Sequence, residues 1–254
     1  MVVSMAWQSL DGALNFRDVG GLPTSDGRRL RRGRLFRSDT LQFLTEDSVR
    51  RLTTDLGVAT VIDLRLPYEV EVEGRGPLAE VPHRYHHLPF LVRGSEQQDT
   101  ATPRFTSEDD VIVQHYLGYL ASSPDAVAGV VSALAEPGAL PAVVHCAAGK
   151  DRTGVAVAMV LSAVGVPVDV IAAEYAAGAE RMDEVFGQLR RMKSYGERLD
   201  ALPAEARITE ATTMARFLAG VDREYGGVRR FLDDQGVDDA TVEQLREQLT
   251  EPAG

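Results

Sequence analysis

The sequence predicts an α/β fold: a central, mostly parallel sheet flanked by helices, with an all-helical carboxyl-terminal third. Three observations carry this. The β-branched, apolar runs at 58–64 (VATVIDL) and 142–145 (AVVH) read as buried strands. Segments with helix start and stop signals alternate with them, and beyond residue 153 the pattern is helical throughout. The 254 residues are 44% apolar, enough to bury a sizeable core, and are expected to form one domain spanning 1–254.

Taken in order, 45–56 reads as a helix. Thr45 is placed to cap it, Glu46 and Asp47 fall in its first turn, and Gly57 lies just past its end. The strand 58–64 follows, then a weaker strand over 85–90. A helix is expected from Ser107 to about Ser122, and a second from Pro124 to Glu136, where Pro137 and Gly138 stop it. After the strand 142–145 come helices over 153–165 and 167–180, and further helical segments. The polar stretch 93–107 reads as a mobile loop.

Composition excludes several classes. The one cysteine, Cys146, allows neither an internal disulfide nor a multi-cysteine zinc cluster. A net charge of −11 argues against general binding of nucleic acid or of anionic membranes. The first ten residues have no basic segment or long apolar core, so no signal peptide is expected. The longest apolar stretch, 153–168, is too short to span a bilayer comfortably. The expectation is a soluble, cytoplasmic protein without stable membrane insertion.

The informative stretch is 143–154, VVHCAAGKDRTG, read as strand, tight loop and helix. Five residues separate Cys146 from Arg152. A loop of that length can curl until its N–H groups converge on one point, with the next helix's amino terminus aimed there too. Such a nest binds a tetrahedral oxyanion, phosphate above all. Gly149 gives the curl its freedom, and Arg152 can hold two oxygens with its planar fork. The same setting favours the thiolate of Cys146. Full ionisation from a thiol pKa of about 8.5 gains only about 30-fold at neutral pH, so positioning and charge stabilisation must supply most of the catalysis. A plain core cysteine would leave the neighbouring His, Gly, Lys, Asp, Arg and Thr unexplained.

This stretch resembles the signature loop, H-C-x5-R-[ST], of the cysteine-dependent protein tyrosine phosphatase superfamily. Within it, the chain resembles the atypical bacterial tyrosine and lipid phosphatases. NFRDVGG at 15–21, GRLFRS at 33–38, and Asp63-Leu64-Arg65 with Glu69 and Val70 support the narrower likeness, which runs over roughly 13–245. The resemblance implies a tyrosine phosphatase-like fold and a phosphomonoester hydrolase working without metal or cofactor through a phosphocysteine. It makes Cys146 the nucleophile, Arg152 the phosphate clamp and Thr153 the donor of a hydroxyl to the sulfur. His145 would orient the loop, Ala147, Ala148 and Gly149 would present its backbone, and Lys150 would add positive charge. A general acid is needed for the leaving group; Asp151 stands first, Asp63 second and Asp39 third, while Asp109, Asp110 and Asp125 lack a characteristic surrounding motif.

Phosphotyrosine is the default substrate, with phosphoserine, phosphothreonine, phosphoinositides and small phosphorylated metabolites as alternatives. From other classes, a phosphate-binding pseudophosphatase and a sulfurtransferase remain open. Of six arginines between 28 and 37, the first four are expected on a solvated strand and turn, and Arg37 is expected to line the phosphate site. Asn15 and Asp18 are expected to hold the amino-terminal segment against the sheet. His83, His86 and His87 are expected on a half-exposed strand rather than a metal site. The helical segment 179–215 is a candidate lid.

Overall fold

The computed structural model describes residues 6–91, 111–196, 199 and 208–253. The strands are β1 (Ala6–Trp7), β2 (Arg17–Asp18), β3 (Arg28–Leu30), β4 (Leu35–Ser38), β5 (Thr60–Asp63), β6 (Arg84–His87), β7 (Ala142–His145) and β8 (Thr250–Pro252). Six of them form the main sheet, in the order β1-β2-β4-β7-β5-β6. β4, β7, β5 and β6 run parallel, and β1 and β2 add an antiparallel edge. The carboxyl ends of the parallel strands therefore share one rim of the sheet, where open α/β sheets collect their ligands.

The helices are α1 (Glu46–Arg50), α2 (Pro67–Glu73), α3 (Val111–Ser122), α4 (Pro124–Ala135), α5 (Asp151–Ala163), α6 (Val168–Ala177), α7 (Met182–Leu189), α8 (Ala211–Tyr225), α9 (Val228–Asp234) and α10 (Asp239–Leu249). Thr45 caps α1 by accepting from the Ser48 N–H at 3.2 Å, and the helix continues in a wider π form over Arg51–Asp55. The period-2 alternation of the strands divides the core. Ile62 and Val144 face a large apolar cluster with α3–α6 and α8–α10, while Phe36, Val61 and Val143 face a smaller one with Leu52. Buried on both faces, β5 and β7 need the unbroken apolar runs that marked them in the sequence.

Several boundaries differ from expectation. The strand expected over 58–64, β5, runs only over Thr60–Asp63, and β6 over Arg84–His87 rather than 85–90. α5 begins at Asp151, not at 153, which puts Asp151, Arg152 and Thr153 in its first turn. α6 ends at Ala177, followed by a 3-10 turn, Gly178–Arg181. Among the described residues the carboxyl-terminal third is built from α6 to α10 joined by turns, and then adds β8, which pairs with β3. β-branched Thr250 sits where Arg28 donates to its hydroxyl at 2.8 Å and Arg31 to its carbonyl at 2.8 Å. These arginines thus anchor the tail rather than merely facing solvent. The segment 93–107, Asp109, Asp110 and part of 179–215 lie outside the described residues.

Candidate active site

β7 ends at His145 and α5 begins at Asp151, so residues 146–150 must turn from strand to helix at the sheet's rim. Their carbonyls are held from outside. The Thr40 N–H donates to the Ala147 carbonyl at 2.9 Å, and Asn15 Nδ2 to those of Ala148 and Gly149 at 3.0 and 3.2 Å. Arg37 Nη2 donates to the Gly149 carbonyl at 2.7 Å. In a planar trans peptide the N–H points away from the C=O, so tying carbonyls outward turns the following N–H groups inward. The Gly149 N–H donates to Cys146 Sγ at 3.3 Å. Gly149 has φ +68°, and a Cβ there would come within 2.5 Å of the Ser38 carbonyl oxygen, so only glycine fits.

Arg37 corrects one expectation. It pairs in register with Val144, whose side chain belongs to the larger core, so it points beneath the loop rather than into it. There its Nη1 donates to Glu174 Oε2 at 2.6 Å, while Arg17 Nε donates to Oε1 at 2.8 Å. Arg17 also donates to the Asn15 amide oxygen. Burial and the neighbouring Arg37 push the Arg17 pKa down to about 10. Burial would raise that of Glu174, but the two guanidiniums outweigh it and hold the carboxyl below its ordinary value.

Cys146 is 2% exposed. His145, also buried, has Nδ1 3.1 Å from the Cys146 carbonyl and Nε2 3.6 Å from Asp63 Oδ2. Burial outweighs that carboxylate and keeps the imidazole pKa below its usual value. Arg152 reaches Glu69 through both terminal nitrogens, at 2.5 and 3.2 Å, and Nη2 donates to Tyr195 Oη at 2.8 Å. Glu69 also accepts from the Leu66 N–H at 2.6 Å at the start of α2, which fixes the partner of Arg152 to the backbone. Burial would raise the Glu69 pKa, yet Arg152 outweighs it and lowers it. Thr153 Oγ1 is buried and makes no hydrogen bond among the described residues, so the expected bond to sulfur is not formed in this state.

The three carboxyl candidates have different surroundings. Asp63 is fully buried and gripped by Arg65, whose Nε and Nη2 lie 3.0 and 2.7 Å from Oδ1 and Oδ2; Tyr85 Oη donates to Oδ2 at 3.0 Å. Burial would raise its pKa, but His145 and Arg65 hold it far below the usual carboxylate range. With Arg65 and Tyr85 on its two oxygens and no exposed surface, Asp63 is turned into the sheet rather than toward the mouth of the loop. Asp39 is buried beside the loop, where it accepts from the Asn15 N–H at 2.9 Å and from Gln188 Nε2 at 3.3 Å. Burial pushes its pKa up to about 7. Asp151 has a side chain 34% exposed, with Oδ1 3.2 Å from Lys150 Nζ and 2.5 Å from Tyr116 Oη. Burial would raise its pKa; Lys150 and then Tyr116 outweigh that and lower it. Asp125 lies exposed in the first turn of α4.

A cover closes over the loop. Met182, Val185, Phe186 and Leu189 of α7, with Met192 and Leu199, pack against Ala147, and Leu14, Ala148 and Tyr195 join them. Tyr195 Oη donates to Glu69 Oε1 at 2.6 Å, and the Ser194 N–H to Glu73 Oε1 at 2.6 Å. Glu69, Glu174, Tyr116 and Tyr195 were not among the site residues expected from sequence. A lone glutamate in the apolar run VDVIAAEYAA was the available signal for Glu174, and the family-like segment contained Glu69 without assigning it a role. Asp18, at the end of β2, ties the turns on both sides of β3 by accepting from the Gly20 and Gly33 N–H groups, each at 2.8 Å. Among the described residues no group of three or more His, Cys, Asp or Glu converges as a metal site, and no single helix is long and apolar enough to cross a membrane.

Two stability measurements test this geometry. Glu174→Ala strands two buried guanidiniums and should cost about 3–5 kcal/mol in chemical denaturation; a loss below about 1 kcal/mol would show that the arginines do not depend on it. Asp39 ionises near 4 when unfolded and near 7 when folded. Its contribution is thus complete below about pH 4 and is lost as pH rises through 7. Asp39→Asn should therefore gain thermal stability relative to the parent between pH 5 and pH 8, whereas a constant difference would contradict the titration.

The model of a tyrosine phosphatase family matches residues 8–251. The triple specificity protein phosphatase PtpB of Mycobacterium tuberculosis is 32% identical, over 95% of this chain and 98% of its own. A putative tyrosine-protein phosphatase of Cupriavidus necator is 31% identical over 89% of this chain and 82% of its own, and a tyrosine-protein phosphatase of Nostoc commune 28% identical over 80% and 70%. With nearly its whole length matched, and with Cys146 and Arg152 bounding a loop turned inward on itself, the chain belongs to the tyrosine phosphatase family.

Proposed function

We propose that this protein tyrosine phosphatase hydrolyses phosphotyrosine in two steps through a phosphocysteine at Cys146, without a metal. The observation that carries the reading is the loop itself, with carbonyls tied outward and an N–H on the sulfur. Cys146 Sγ attacks phosphorus and the P–O bond to the phenol breaks. Arg152, aligned by Glu69, holds two phosphoryl oxygens, and the N–H groups of the loop and the start of α5 take up the remaining charge. Asp151, the one partly exposed carboxyl of the three, gives its proton to the leaving phenolate. Water then attacks phosphorus, the S–P bond breaks, and Asp151 takes a proton from that water. The unpartnered hydroxyl of Thr153 is suited to receive the returning thiolate.

Lys150, buried beside Asp151, adds a second cation at the site and supports phosphoserine, phosphothreonine and phosphoinositides as further substrates; the mycobacterial relative is a triple specificity protein phosphatase. The segment from α7 to Tyr195 is a lid that must lift before substrate reaches a sulfur so little exposed. Phosphorylated proteins, and on this reading lipids or small molecules, are its partners, and the cytoplasm is its place of action.

A phosphate-release panel of phosphotyrosine, phosphoserine and phosphothreonine peptides, phosphoinositides and small phosphometabolites tests this reading. Cys146→Ser should abolish turnover on every substrate; residual turnover near the parent rate would end the covalent mechanism. Vanadate should alter hydrogen exchange across 182–196, and unchanged exchange would remove the lid from the account.

A further inference from the structure

Asp151 faces a packed group of aromatic side chains on neighbouring helices. Tyr116 of α3 and Tyr175 of α6 are both buried, with their hydroxyl oxygens 2.7 Å apart, and Tyr116 Oη stands 2.5 Å from Asp151 Oδ1. The ring of Tyr116 is held edge-on by Tyr175 and Phe217, at centroid distances of 6.3 and 6.0 Å. Burial and the nearby Asp151 raise both phenols above their ordinary pKa, so both keep their protons. An ionised Asp151 can only accept; Tyr116 therefore donates to it, and Tyr175 donates to Tyr116. The three groups form a one-way hydrogen-bond chain ending on a single carboxylate oxygen.

A second observation comes from the helix that carries Asp151. Gly154 lies one turn later, inside α5, where glycine costs roughly 0.5–1 kcal/mol relative to alanine. A Cβ there would come within 2.9 Å of Tyr175 Cδ2 and Cε2. The missing side chain lets the Tyr175 ring close on α5 and brings its hydroxyl to Tyr116.

We propose that Tyr116, backed by Tyr175, is a positioning residue for the reaction: it anchors Asp151 by Oδ1 and so fixes the direction in which the carboxyl exchanges its proton with the leaving phenolate and with water. This rests on Asp151 being the general acid. The charged and titratable groups around Asp151 are Lys150 beside it, His115 and Tyr116 of α3, and Tyr175 of α6 with Arg37 near it. α8 presents apolar Phe217 to Tyr116. Of these, Tyr116 and Lys150 touch the carboxylate. A hydrogen bond to the ionised form favours that form, which is the state of Asp151 after it has protonated the phenolate. The cost is that the acid form is available only at lower pH.

Tyr116→Phe removes one hydroxyl and keeps the ring. With phosphotyrosine, kcat should fall about 10- to 100-fold with KM little changed, and the alkaline limb of kcat/KM should move to higher pH because the carboxylate has lost a donor. With p-nitrophenyl phosphate, whose phenolate leaves without help, the fall should be under about threefold. Tyr116→Phe in an Asp151→Asn background should add nothing further. If Asp151→Asn shows the leaving-group dependence while Tyr116→Phe keeps the parent kcat and alkaline limb, the positioning role is wrong and the acid assignment stands. If Asp151→Asn slows both substrates equally, the acid assignment itself fails and the inference goes with it. Vanadate affinity serves as the folding control. Should Tyr116→Phe lose it, Tyr175→Phe carries the test, with a smaller shift of the limb in the same direction expected and no shift overturning the proposal.

Discussion

The carbonyl oxygens of Ala147, Ala148 and Gly149 are fastened on the outside of the loop by Thr40, Asn15 and Arg37, and Arg37 is in turn fastened by Glu174. Everything that makes the loop useful follows from that fastening. With those oxygens satisfied elsewhere, the intervening N–H groups have one direction left. The cost of burying two arginines and a glutamate is offset because every member is paired, and removal of one would leave the others charged in a medium that cannot solvate them. The same packing excludes any side chain at position 149.

Around this frame, a second layer of pairs gives each candidate site residue a fixed posture. Arg152 is aligned by Glu69, which is itself held by the first turn of α2. His145 is placed between the cysteine carbonyl and Asp63, and Asp63 is kept ionised by Arg65. Asp63 and Asp151 are both held below the ordinary carboxylate range, but Asp63 is sealed among Arg65, His145 and Tyr85, whereas Asp151 is partly open to solvent.

Features that depend on a few consecutive residues were legible in the sequence. β5 and β7 show as β-branched runs, Thr45 as a cap, and Cys146, Gly149 and Arg152 as a strand–loop–helix site, because each is decided within a handful of positions. The edge strands β1 and β2 have two residues each, too short for any alternation to be seen. β8 forms only because β3, more than two hundred residues earlier, offers it a partner. The partners of the candidate site residues were hidden for the same reason. Glu69 lies 83 positions from Arg152 and Glu174 lies 137 from Arg37. Arg37 was expected to line the phosphate site, yet its side of the sheet depends on its register with β7.

The arginine pair beneath the loop also bears on how the protein meets its substrate in salt. Within the triad beneath the loop, Arg17 and Arg37 outnumber Glu174, leaving one positive charge sealed there. Counter-ions collapse the field of exposed charges within about 10 Å at 0.1 M ionic strength, and most of the net −11 lies within their reach. The sealed charge does not. As ionic strength rises, the repulsion between an acidic surface and a phosphorylated substrate fades, while the attraction at the bottom of the site persists.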